Sequence, residues 1–214
     1  MMNSGFTKPK FNMRSLSEIE TVSKRASRAA GFSWGISEEI GKNIRLLESY
    51  GLPGIKNLNS FLKDTQKQKF ENLKSLKENN FSDKNCFCPI SFGTSFLDQS
   101  HSFKEKKLTL NKLAYPILLI PFLSRSSEII GKRIQIKFDK VNVNLNYNLN
   151  IYSNNNFEQT FKETEEVQIN LLDNVDSFTD TDWKELYQLS EDTFVEESES
   201  LKQGGAGAGL TDND

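Results

Sequence analysis

The chain has 214 residues, with 27 basic and 29 acidic side chains, a net charge of −2, two cysteines and one histidine. That length buries a real core in one domain or two small ones, and 36% hydrophobic with 26% charged residues is not the composition of a wholly disordered chain. The counts exclude a disulfide scaffold and a four-ligand Cys/His zinc cage, and the near-zero charge gives no case for a nucleic-acid binder.

Residues 1–13 carry few apolar anchors and read as a flexible lead-in. Met1 to Ser15 has basic residues without an apolar stretch behind them, unlike a secretory signal. The run Leu113 to Leu123 is the most apolar, but Pro116 and Pro121 interrupt it and it falls short of the ~20 residues a membrane span needs. It is assigned to the core. The expected location is cytoplasmic, with both thiols reduced and no membrane partner.

The first helix is expected from a capping box at Ser17-x-x-Glu20, with Leu16, Ile19, Val22, Ala26 and Ala29 as its apolar stripe and Gly31 as its stop. A second helix follows Phe32-Ser33-Trp34, carrying Ile36, Ile40, Ile44 and Leu47 inward and ending at Gly51, Pro53 and Gly54. Gly41 inside it weakens the helix by about 1 kcal/mol unless something packs closely there. Together the two form an αα-hairpin. Residues 57–80 are expected to be helical, and Cys86 to Leu97 to hold short strands around a turn at Gly93.

From Ile134 the period becomes two. Ile134, Ile136 and Phe138 alternate, the parity flips at Asp139-Lys140, and Val141 to Ile151 alternate again with asparagines on a wet face. Asn154 to Asn156 mark a turn, and Val167, Ile169 and Leu171 a short strand. Asp180 to Asp192 is the final helix, with Trp183, Leu186 and Leu189. The expected fold is α+β: an N-terminal αα-hairpin, a small antiparallel sheet over 130–172, a C-terminal helix and a glycine-rich tail. One domain spans 14–214, its acidic segment 203–214 last.

Charge is segregated along the chain. Residues 161–214 hold three lysines against fifteen acids, a net −12, which leaves +10 for the other 160 residues. Such an acidic end is ordinarily a solvated face, or is offered to a basic partner.

Three motifs are familiar. Ser15 to Gly41 reads as a basic, Ala-rich helix followed by W-G-x-x-E-E-x-G; Cys88-Pro89 precedes Gly93 and Asp98; Thr193 to Asp214 closes on G-A-G-A-G-L-T-D-N-D. In these the chain resembles the bacterial domain of unknown function 3726 family. Phe194, Glu196 and Lys202 stand where that family usually has tyrosine, proline and arginine. The resemblance carries no activity, but it implies that the tail is held somewhere specific, its small glycines letting the backbone pass close to other atoms.

The resulting expectation is a site joining both chain ends that binds a small polar molecule. Its candidate residues are Arg28, Trp34, Glu38, Glu39, Asp98, Glu199, Lys202, Asp212 and Asp214. The alternative is a non-enzymatic interaction protein whose acidic tail docks on a partner or a sister subunit. No metal site, cofactor or catalytic residue is assigned. Cys88 with His101 lacks a nucleophile signature and reads as a structural cysteine. Glu38, Glu39, Asp98, Asp212 and Asp214 match no known cation loop. A tryptophan at a helix entrance ordinarily staples that helix to the core, which is the ordinary reading of Trp34. The G-G-A-G-A-G run lacks the strand, helix and downstream acid of a dinucleotide loop.

Overall fold

Ser15 opens the first helix: its hydroxyl accepts the Glu18 amide at 3.1 Å, and α1 runs Leu16–Ala29. The cap therefore lies two residues before the expected Ser17. Gly31, at φ +101°, turns the chain where a side chain would be strained. Ser33 then caps α2 (Trp34–Ser49), and α3 follows at Gly54–Asp64. The computed structural model describes residues 14–73, 75–102 and 105–193. These fall in two compact units, a body to Asn174 and a C-terminal unit from Val175.

The face that α1 buries is not its most apolar one. Ser23 and Ser27 are buried, whereas Leu16, Val22, Ala26 and Ala29 are exposed. Small side chains let α1 lie close against α2. A Cβ on Gly41 would stand 2.8 Å from the Glu20 carbonyl oxygen and 3.3 Å from Lys24 Cβ, so the interior glycine is a contact point between the helices. Ile40, Ile44 and Leu47 face the core as expected.

Several elements correct the sequence expectation. The helix expected over 57–80 ends at Asp64, and the chain continues through turns into the short strand β1 (Asn79–Asn80). Phe70, Leu73 and Leu76 pack on the core from an irregular segment. Cys86 to Leu97 forms no strand pair around Gly93. Pro89 fixes a first helical turn, Cys88 caps it, and α4 runs Pro89–Gln99. Gly93 lies inside that helix, where the Phe122 ring occupies the space a Cβ would need.

β2 (Lys107–Ala114) leads into the apolar run, which is wholly buried from Leu113 to Leu123. The run turns at Tyr115, forms a 3-10 turn over Pro116–Leu119 and enters α5 (Ile120–Ile130). β3 (Arg133–Phe138) and β4 (Val141–Asn146) form a hairpin whose turn holds Asp139 at φ +47°, where the parity flips. The alternation to Ile151 is not one strand: Tyr147 and Asn148 take positive φ and reverse the chain into β5 (Asn150–Ser153). β6 extends over Glu163–Leu172.

The sheet has six strands in the order β1-β2-β6-β3-β4-β5, with β1 parallel to β2 and the other pairs antiparallel. It is larger than the expected antiparallel sheet because β2, from residues before 130, pairs with β6. Ile134, Ile136, Val143, Leu145, Val167 and Ile169 form a core with Phe92, Phe96 and Phe122 of the helical layer. The opposite face carries Gln135, Asn144 and Asn170, whose amides bond across three strands at 3.0 and 3.3 Å. The fold is α+β with the helical hairpin at the N-terminus.

In the C-terminal unit, Thr179 caps α6 (Asp180–Glu191), and no residue of this helix is buried. Among the described residues no helix is long and apolar enough to cross a membrane.

Candidate functional site

Arg28 and Trp34 meet where α1 gives way to α2. The guanidinium carbon lies 5.3 Å from the indole centroid, and Nη1 donates to the Phe32 carbonyl at 2.9 Å. Trp34 is 59% exposed, so it is no core staple; it lies flat under a cation, an arrangement worth about 0.5–1 kcal/mol at the surface. One turn further, Lys24 of α1 pairs with Glu38 of α2 at 3.3 Å. The expected candidates Arg28, Trp34 and Glu38 thus share one edge of the helical hairpin.

Glu39 belongs to a different cluster. Its carboxylate accepts from Arg125 of α5 and, at 2.9 Å, from Lys42. Burial by itself would raise the Glu39 pKa; the hydrogen bonds and charges of Arg125 and Lys42 outweigh it and hold the carboxyl below its usual 4.5. Arg125 also lies 3.4 Å from Oδ1 of buried Asn43, whose amide nitrogen finds no acceptor among the described residues.

This cluster borders a cleft of about 710 Å³ between α1, α2 and α5. Lys42, Arg45 and Arg125 supply positive charge to it; Glu20 and Glu128 supply negative charge. Leu16, Leu46 and Ile129 give it an apolar lining. Arg45 pairs with Glu20 at 3.0 Å. Asn148, from the turn between β4 and β5, closes one side and is held at three points. Ser124 donates to its Oδ1 at 3.1 Å, its amide donates to Glu128 at 3.1 Å, and the Tyr50 hydroxyl donates to its carbonyl at 2.7 Å.

Asp98 is exposed on α4 and makes no hydrogen bond or ion pair among the described residues. Glu199, Lys202, Asp212 and Asp214 lie outside the described residues, as does the whole G-G-A-G-A-G run. Arg28, Trp34 and Glu38 are brought together, and Glu39 is joined to residues that sequence reasoning passed over. Arg125 had one signal: a lone cation directly after a buried apolar run needs a partner, which Glu39 provides. Arg45 and Asn148 had none.

The thiols are not poised for attack. Burial, then the Glu163 carboxylate, pushes the Cys86 pKa up to about 11; burial likewise raises that of Cys88, whose sulfur accepts the Ser91 amide. Tyr115 is a further buried polar residue, at φ +44° with its hydroxyl 2.6 Å from Asp64. It ties the end of α3 to the turn before the 3-10 segment. Among the described residues no three His, Cys, Asp or Glu side chains gather closely enough to hold a metal ion.

Residues 14–86 match the profile of a protein family of unknown function (DUF3726), so the resemblance holds over 73 of 214 residues. The matched stretch contains α1, α2 and α3, and with them the α1 and α2 walls of the cleft. No curated protein and no solved structure matches the chain.

Proposed function

We propose that the protein binds a small polar metabolite in the cleft between α1, α2 and α5, beside the W-G-x-x-E-E-x-G segment. The observation that carries this reading is the chemistry of the walls: three cations and two carboxylates around Leu16, Leu46 and Ile129 in about 710 Å³. Charges of both signs beside apolar side chains suit a zwitterion with an apolar body, such as an α-amino acid or a small derivative of one. Its carboxylate would meet Arg45 and Lys42, and its ammonium Glu128.

Thermal unfolding with leucine, glutamate and short dicarboxylic acids tests the reading. An occupant at about 100 times its dissociation constant raises stability by about 2.7 kcal/mol. That gain should be lost in Arg45→Ala, an exposed side chain whose removal leaves the core intact. Absence of stabilisation across the series would refute the site. Deleting Gly205 to Asp214 asks whether the tail completes it: binding that survives the deletion removes the tail from the site.

A non-enzymatic interaction role is the alternative reading. One observation favours it: α6 presents Trp183, Leu186 and Tyr187 exposed on one face within an acidic segment.

A further inference from the structure

We infer that Arg125 and Glu128, held apart on one face of α5, form the head-group subsite of the cleft and take the α-carboxylate and α-ammonium of a neutral amino acid with an aliphatic side chain. The inference rests on the metabolite reading of that cleft and narrows it to one class of ligand.

Arg125 and Glu128 stand three residues apart on α5, and both line the cleft. Opposite charges at that spacing are neighbours on a helix surface and ordinarily attract. Here they form no ion pair with each other, and each is held instead by a third residue. Arg125 Nη1 donates to Glu39 and, at 3.4 Å, to Oδ1 of Asn43. Glu128 accepts at 3.1 Å from Asn148, which Ser124 and the Tyr50 hydroxyl fix in turn. The separation of the two charges is therefore built into the fold.

Both groups keep unspent hydrogen-bonding capacity. A guanidinium carries five N–H donors in a fixed plane. Nε and Nη2 of Arg125 meet no acceptor among the described residues, and neither is sealed in the interior. Together they make the fork that holds a planar carboxylate by two parallel hydrogen bonds. The Arg125 side chain is 26% exposed and already anchored, so binding costs it little rotamer freedom. Glu128 has only the neutral Asn148 amide as its partner among the described residues, which leaves its charge for an ammonium.

The remaining charges select a ligand of zero net charge. Glu39 serves two cations, Arg125 and Lys42, so one positive charge is left over. Arg45 is matched by Glu20 at 3.0 Å, and Glu128 leaves one negative charge over. A zwitterion cancels both, whereas the second carboxylate of an acidic amino acid meets no uncompensated cation. Ile129, one turn beyond Arg125, lies with Leu16 and Leu46 along the cleft, where an aliphatic side chain would rest.

Calorimetric titration of the full chain tests this with leucine, leucinamide (no carboxylate), isocaproate (no ammonium) and glutamate. Leucine should bind about tenfold or more tightly than each of the others, the change expected from one lost charge-assisted hydrogen bond. Arg125→Lys keeps a charge beside Glu39 but removes the fork. It should weaken leucine and isocaproate about tenfold and leave leucinamide nearly unchanged. Glu128→Gln, at an exposed position, should weaken leucine and leucinamide about tenfold and leave isocaproate nearly unchanged. A merely structural effect of either substitution would weaken all the ligands together. That result, variants that bind leucine as the wild type does, or glutamate binding as tightly as leucine overturns the head-group subsite and leaves the cleft reading standing. If none of the four ligands binds, nor any short dicarboxylic acid, the cleft reading falls and the inference with it.

Discussion

Glu39 is the residue through which α2 and α5 are held together electrostatically. Its carboxylate takes hydrogen bonds from Arg125 and Lys42, and the Glu39 and Arg125 side chains are each about three-quarters buried. Replacing the acid by its neutral isostere keeps the shape and removes the charge, so Arg125 loses its counter-ion. Glu39→Gln should lower stability by about 1–2 kcal/mol at neutral pH, between the values of exposed and buried pairs. The folded-state pKa lies below the unfolded 4.5, so the contribution is full above that value and is lost as pH falls through the lower folded pKa. Urea titrations at pH 7 and at successively lower pH below 4.5 should therefore show the two proteins differing most at the first and drawing together as the pH falls. A gap that stays constant as the pH falls would assign the loss to packing. The same residue marks the limit of sequence reading at this scale. Glu39 was legible as a candidate from its motif, but its partner lies 86 residues away, and only the chain's return through α5 brings them together.

At the scale of elements, the contact between α1 and α2 rests on small residues. Gly41→Ala improves helix propensity by about 1 kcal/mol, but its Cβ would stand 2.8 Å from a backbone oxygen that cannot rotate away. The two helices must separate, at a cost of about 1–3 kcal/mol. Equilibrium unfolding should show net destabilisation; a stabilised Gly41→Ala would mean that the helices do not pack this closely. Helices with local punctuation were legible in the sequence. α2 and α6 fall where caps and periodicity place them, because Ser33 and Thr179 set their starts within a single turn. α1 was found, but its stripe was misassigned: Ser23 and Ser27 are buried for their size, which a hydrophobic period does not register. β2 and α4 were missed for opposite reasons. β2 is a strand by virtue of β6, more than fifty residues downstream. Gly93, a turn signal by composition, is a glycine because the Phe122 ring leaves no room for a Cβ, and it sits inside the helix that Cys88 and Pro89 start. The asparagine-rich alternation predicted a strand, and two asparagine-compatible positive-φ positions broke it into a hairpin.

Over the whole molecule, the charge segregation seen in the sequence coincides with a structural division. The unit from Val175 carries 11 acidic and two basic residues, a net −9, against +7 for the body. Among the described residues the buried apolar core runs from Ile40 to Leu171, and none of it is contributed by residues after Asn174. A chain ended at Asn174 keeps its sheet, its helical layer and every core side chain among the described residues. It should unfold in one cooperative transition within a few degrees of the full chain, as small domains with an intact core do. Its electrostatic behaviour should change sign. At pH 7 it should be retained on a cation exchanger from which the full chain elutes early. Loss of the cooperative transition on truncation would show instead that the acidic unit is part of what holds the body folded.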